Sequence, residues 1–338
     1  MKRPAAAETK LVICAPGRTS FWQPPREMAD AIHARWPEMR VVFLPDAKDL
    51  PQEIADTDIY CGVTLRPEQF RIAEKIIWVH SFPASVSAFM FPELRASGIA
   101  MTNGRGVQGI PMAEHILGML IALARRFPDC FRYQQQAHWA QHDLWEGARK
   151  ETLLRELRGQ VLLCIGFGAI GREVARIAQP LAMHIHAVTR SGGGDTALAE
   201  KFFTVDRLPE ALAEADFVLL AAPETPETHA MMGAREFSSM KNSAYFLNVS
   251  RGSLVDEPAL IAALQKNAIA GAALDVTSQE PLPPENPLWR LDNVFITPHV
   301  SALSSQLWDR QTDLLLQNLE AWFGGRELTN RVDLARGY

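Results

Sequence analysis

At 338 residues the chain is long enough for two domains with full cores. Its composition, 47% hydrophobic and 22% charged, is that of a globular protein, and a net charge of −5 without a basic cluster disfavours nucleic acid or an anionic membrane as partner. The longest apolar stretch, 116–124, is too short to span a bilayer, and the polar start lacks a signal-peptide core, so a cytoplasmic location is expected.

Short apolar runs at 11–15, 41–44, 59–63, 76–79 and 99–102 predict strands, with helical stretches such as 26–36 between them. A single long helical pattern, 110–126, follows as a connector. A second set of strands is predicted at 161–165, 184–189, 217–222, 244–249, 272–276 and 294–296. After Ser301 comes a last amphipathic helix to about Phe323, with no strand to follow, so it is expected to pack back on the first domain. The alternation means α/β with parallel sheets. With a Gly166-x-Gly168-x-x-Gly171 turn right after the first strand of the second set, the expected fold is two doubly wound domains: a Rossmann NAD(P)-binding domain, 109–302, inserted into a flavodoxin-like substrate domain, 1–108 and 303–338. Cys14, Cys61, Cys130 and Cys164 show no C-x-x-C spacing, and three lie in strand-like runs, as reduced buried thiols would. No metal is expected; His184 and His186 could share a strand face, but two ligands do not make a site.

The sequence at 160–171, QVLLCIGFGAIG, runs an apolar strand into Gly166-Phe167-Gly168-Ala169-Ile170-Gly171 and then a helical stretch. That context is what a dinucleotide-binding turn requires. Gly166 permits the tight turn, Gly168 lets the backbone approach a pyrophosphate, and Gly171 lets helix and strand close. Helix-start N–H groups would hold the phosphates. Where the next strand ends, an NAD site usually offers an acid to the ribose, yet this chain has Arg190 and Ser191 and no acid before Asp195. A guanidinium and a hydroxyl would bind a 2′-phosphate, so NADP(H) is the preferred cofactor and NAD(H) a possible one. The competing reading is a solvated loop arginine.

Three further segments each begin at the end of a predicted parallel strand, the edge where ligands bind in open α/β sheets. They are N-V-S-R-G with Asn248, Ser250 and Arg251, D-V-T-S-Q-E-P-L-P with Asp275 and Glu280, and T-P-H with His299. Taken singly, Arg251 could be a turn residue, Glu280 a loop acid and His299 a helix-cap neighbour. Their joint order after the glycine turn resembles the D-2-hydroxyacid dehydrogenase family, over roughly 78–302. That family includes glyoxylate/hydroxypyruvate reductases and phosphoglycerate dehydrogenases.

The resemblance implies Arg251, Glu280 and His299 as catalytic residues, a split two-domain chain with a cleft active site, and a homodimer built on the connecting helix. The residue types suit the chemistry. Imidazole exchanges protons near neutrality, so His299 fits acid/base work. Glu280 on its other nitrogen would fix the tautomer and favour imidazolium, and Arg251 can grip a substrate carboxylate and polarise its keto oxygen. Asp275 would accept a bond from the nicotinamide carboxamide. Ala222, Pro223 and Thr228, together with Val249, Ser250, Arg251 and His299, complete the implied cofactor contacts.

On the substrate side, 78–87 reads WVHSFPASVS at the position of the family loop whose amides hold the carboxylate. Relatives commonly carry Gly-Val-Asp where Ser85, Val86 and Ser87 stand. The departure leaves loop geometry and substrate choice open. Phe82, Ala84 and Ser85 are the substrate candidates with Arg251 and His299, and Phe82 could equally be a core aromatic. Trp139 and Trp145 would cap a partner's pocket or be buried at a dimer contact, and His115 reads as structural. The expected activity is a small 2-keto acid reductase of glyoxylate/hydroxypyruvate type. The alternatives are a nucleotide-sensing binding protein or a phosphoglycerate, formate or phosphite dehydrogenase relative. Formate enzymes carry Gln where Glu280 stands, and no spare Arg/Lys cluster near the loop offers to bind a phosphorylated substrate.

Overall fold

The computed structural model describes residues 3–14, 20–146 and 154–337. The predicted strand end at Ala15 lies outside them. The chain divides into two compact units, Met1–Gln108 with Ser304–Tyr338, and Gly109–Leu303.

In the first unit β1 (Lys10–Cys14), β2 (Arg40–Leu44), β3 (Ile59–Gly62), β4 (Trp78–Ser81) and β5 (Ala100–Asn103) form one parallel sheet in the order β2-β1-β3-β4-β5. This is the flavodoxin-like order. Alternate residues of β1 serve opposite layers. Leu11 and Ile13 pack with Met28 and Ile32 of α1 (Arg26–Arg35), whereas Val12 and Cys14 face Leu50 of α2 (Leu50–Glu53) and Leu94. Helices α3 (Pro67–Ile72) and α4 (Pro92–Ala96) complete that second layer. The strand predicted at 76–79 sits two residues later. Ile76 is buried, but the ladder starts at Ile59↔Trp78, because hydrophobicity marks burial and not pairing.

The second unit opens with α5 (Gly109–Ala124), α6 (Phe127–Gln135) and α7 (Gln141–Glu146). The connecting helix expected over 110–126 stops at Ala124, and Arg126 turns left-handed (φ 55°) to start α6. There follow β6 (Val161–Ile165), α8 (Ala169–Ala178), β7 (His184–Val188), β8 (Lys201–Phe203), α9 (Leu208–Glu214), β9 (Phe217–Leu220), α10 (Ala234–Ser239), β10 (Tyr245–Asn248), α11 (Glu257–Gln265), β11 (Gly271–Leu274) and β12 (Val294–Ile296). Their parallel sheet has the order β12-β11-β10-β9-β6-β7-β8, the Rossmann arrangement with one added edge strand. Seven strands replace the six expected: β8 has three residues, too few to show an alternating pattern, and its register against β7 makes it a strand. The last helix, α12 (Leu307–Phe323), belongs to the first unit, where Leu315, Leu319 and Trp322 join the α1 layer.

Cys14, Cys61 and Cys164 are buried and Cys130 is exposed. Burial pushes the Cys14 thiol up to about 11 and that of Cys164 to about 12, so both stay protonated and inert. Among the described residues no helix is long and apolar enough to cross a membrane.

Candidate active site

The glycine turn after β6 has the steric design a dinucleotide needs. Gly166 has φ 94°, and a Cβ there would lie 2.6 Å from the Ala221 carbonyl. One on Gly171 would lie 2.7 Å from the Gly166 carbonyl. Around Gly168, which caps α8, a Cβ would meet nothing within 4 Å, so that backbone is open to a ligand. Past β7, Arg190 and Ser191 are both exposed. The Ser191 hydroxyl donates to the Gly193 carbonyl (3.4 Å), and Arg190 places its charge near Glu227. The residues fit a dinucleotide with a phosphate or hydroxyl at that loop.

The next two strand ends are tied together. After β9 the Thr228 hydroxyl donates to the Pro223 carbonyl (2.7 Å) and accepts from the Thr225 amide (2.8 Å). The Ser250 hydroxyl donates to the Ala222 carbonyl. Ala222 and Val249 are core side chains, so what they present at this edge is backbone. Asn248, 1% exposed, shapes the turn after β10: its carbonyl accepts from the Ser250 amide (3.0 Å) and its amide donates to the Arg251 carbonyl (3.0 Å). Arg251 is half-buried and donates to the Ser250 carbonyl (2.7 Å), using one of its five donors. Gly252 lets this turn touch the neighbouring loop, since a Cβ would sit 1.9 Å from the Thr277 carbonyl.

His299 and Glu280 come together across 19 residues: Nδ1 lies 2.6 Å from Oε2. The other carboxylate oxygen of Glu280 accepts from the Thr277 amide (3.2 Å). Glu257 steadies the same loop by accepting from the Ser278 amide (2.9 Å) and the Asn286 side chain (2.8 Å). His299 is about half exposed, with Nε2 as the ring nitrogen left for a substrate oxygen. Its backbone is left-handed, φ 54°, which costs a non-glycine residue about 1–3 kcal/mol and persists only where the surroundings enforce it.

Asp275 is what enforces it. Its backbone carbonyl accepts from the His299 amide (2.8 Å), and its carboxylate accepts from the Thr297 hydroxyl (2.6 Å) and the amides of Val300 (2.9 Å) and Ser301 (3.1 Å). Burial works to raise this carboxyl, but hydrogen bonds from Ser301, Thr297 and Val300 outweigh it and hold the group below the usual carboxylate range. The side chain has no exposed surface. Within the second unit the Asp275 carboxylate therefore has an internal role: it anchors the turn that presents His299. His115 of α5 joins in. The Thr297 hydroxyl spends its one hydrogen on Asp275, so it accepts from Nε2 of His115 (3.1 Å). Burial lowers the His115 pKa, keeping that imidazole neutral.

In the first unit, the loop after β4 buries Phe82 completely, its ring edge-to-face with His80 and Trp308. Phe82 is a core aromatic; its side chain offers no surface to a substrate. Ala84 and Ser85 are exposed, and the Ser85 and Ser87 hydroxyls are 3.2 Å apart. The amides of Ala84, Ser85 and Val86 donate to no atom of the described residues, leaving three adjacent donors for an anion.

The sequence profile described as "D-isomer specific 2-hydroxyacid dehydrogenase, NAD binding domain" matches residues 117–301. The glyoxylate reductase of Korarchaeum cryptofilum (strain OPF8) is 32% identical over 296 residues, covering 86% of this chain and 86% of that protein. The chain belongs to the D-isomer specific 2-hydroxyacid dehydrogenase family. It is an NAD(P)-dependent oxidoreductase.

Two solved structures share the architecture of this dehydrogenase. A family member from Xanthobacter autotrophicus Py2, in complex with NADPH and MES, superimposes with TM-score 0.81 at 25% identity, over 98% of this chain and 100% of that one. An NADPH-dependent glyoxylate/hydroxypyruvate reductase from Sinorhizobium meliloti, in complex with NADP and malonate, gives 0.72 at 27% identity, over 97% and 98%. Sequence reasoning about this dehydrogenase assigned no task to Asn248, Glu257 or Gly252. The N-x-x-R-G spacing signalled Asn248, since a side chain three residues before Arg251 can close a turn on it. Nothing local signalled Glu257.

Proposed function

We infer that the chain reduces a small 2-keto acid with NADPH, in the manner of a glyoxylate/hydroxypyruvate reductase. The observation that carries the reading is the His299–Glu280 pair, held at 2.6 Å on an enforced left-handed turn at the C-terminal edge of a nucleotide-type sheet. A bound nicotinamide cofactor supplies the hydride. His299 gives the new hydroxyl its proton, Glu280 holds the imidazole by its other nitrogen, and Arg251 binds a substrate carboxylate; within the first unit, the loop amides of residues 84–86 are neutral donors for a carboxylate. Arg190 and Ser191 favour the 2′-phosphate of NADPH, as does the NADP found in the similar S. meliloti enzyme.

One observation favours a second reading. Lys48 and Arg66, distant from the loop in sequence, line a cavity of about 840 Å³ in the first unit together with Pro83 and Ala88. The sequence offered no spare Arg/Lys cluster near the loop; these two exposed side chains, each beside an acid (Asp46 at 3.7 Å, Glu68 at 3.8 Å), are the cations that a second anionic group on a substrate would meet there. NADPH oxidation followed at 340 nm with glyoxylate, hydroxypyruvate and 3-phosphohydroxypyruvate separates the readings. A higher kcat/KM for either unphosphorylated acid supports the first. Preference for the phosphorylated acid supports the second, and turnover of none rejects both.

The same reading includes a homodimer. Ile110, Phe127, Phe131, Trp139 and Trp145 expose large apolar surfaces on and after α5, with Trp139 86% exposed. A monomer seldom leaves such a band uncovered. Light scattering at micromolar concentration should give about twice 37.6 kDa. A clean monomer would remove any cross-subunit role for Trp139.

A further inference from the structure

We propose that Gln311, on the last helix, is a positioning residue for the substrate carboxylate. The inference rests on the reading of the chain as a 2-keto acid reductase. The carbonyls of Phe82, Pro83 and Ala84 all turn into the protein, each with its own anchor. Gln311 Nε2 donates to Phe82 (2.6 Å), the Ser81 hydroxyl (3.0 Å) and the Gly104 amide (3.3 Å) donate to Pro83, and Asn103 Nδ2 donates to Ala84 (2.8 Å). With three successive carbonyls held inward, the amides of Ala84, Ser85 and Val86 remain free for an anion.

The Phe82 anchor is the one the chain can least replace. The peptide between Phe82 and Pro83 has no N–H, so its carbonyl is its only polar group, and Gln311 is its donor. Gln311 is 1% exposed and its Oε1 has no partner among the described residues, so the side chain is committed to this bond. A Cβ on Gly104 would lie 2.0 Å from the Phe82 carbonyl and 2.7 Å from Gln311 Nε2, so only glycine fits beside the pair. Without Gln311 a buried acceptor loses its donor, and the peptide gains by rotating toward solvent. That rotation carries the next three amides out of register.

The test is Gln311→Met, which keeps length and volume and removes the donor. The KM for the keto acid should rise about 10-fold or more, the scale set by a buried acceptor left without its donor. The kcat, and NADPH affinity measured by fluorescence titration, should stay near wild type, a split that general destabilisation does not produce. Asn103→Ala, which frees the neighbouring Ala84 carbonyl, should show the same signature and decides the matter if Gln311→Met does not fold. An unchanged keto-acid KM in an active, folded variant overturns the role of Gln311 and leaves the reductase reading standing. A wild type that turns over no 2-keto acid overturns that reading and the inference with it.

Discussion

Replacing His299 with alanine should lower kcat for keto-acid reduction by about 10²–10⁴-fold, the usual worth of a positioned acid/base group. Cofactor affinity should survive, because the Gly166–Gly171 turn and the strands beneath it owe nothing to the imidazole. The loss should sit in kcat, since the proton reaches the developing alkoxide only in the transition state. The fold should also survive: the turn at 299 is held by its own amide and by Asp275, so the main-chain bonds persist without the ring. Initial rates with saturating NADPH, beside a fluorescence titration of NADPH, check both halves. Near-normal turnover in the variant would sink the assignment of His299 as proton donor.

The second large effect concerns cofactor choice. A charge-assisted hydrogen bond contributes about 1.5–3 kcal/mol, so losing the contact of Arg190 with a 2′-phosphate should weaken NADPH binding about 10- to 150-fold. NADH carries no such phosphate and should scarcely register Arg190→Ala. Arg190→Asp should go further, repelling NADPH while offering the ribose hydroxyls of NADH an acceptor. The loop is exposed and near Glu227, whose carboxyl is held low first by the Thr225 side chain and in smaller part by the charge of Arg190. On binding NADPH that arginine would exchange this exposed neighbour for a doubly charged phosphate. The ratio of kcat/KM for NADPH over NADH, in wild type and both variants, is the measurement. A wild type that prefers NADH, or a ratio indifferent to Arg190, would show that this arginine is merely solvated.

The parts of the fold legible in the sequence are those whose cause is local. A buried parallel strand is a short apolar run, and such runs gave the β1, β6, β9 and β10 positions to within a residue or two. Elements defined by a partner were harder to read. The three residues of β8 carry no period of their own, and β4 begins where Trp78 meets Ile59, two residues beyond where its apolar run starts. The break at Arg126 left no proline or glycine at that position to mark it.

The site divides the same way. Sequence by itself determined the glycine turn and brought Arg251, Glu280 and His299 to successive strand ends, because residues that follow parallel strands must share one edge of the sheet. It also determined the basic, acid-free loop at Arg190. Only the tertiary structure decided what holds these groups. Asp275 became the anchor of the His299 turn because its carboxylate is enclosed, and burial depends on every neighbour at once. Phe82 went into the core while the amides just after it stayed free. The bonds responsible span the chain, 182 residues from His115 to Thr297 and 229 from Phe82 to Gln311. No periodicity or motif spacing encodes such pairs, since they exist only once each unit has closed around its core.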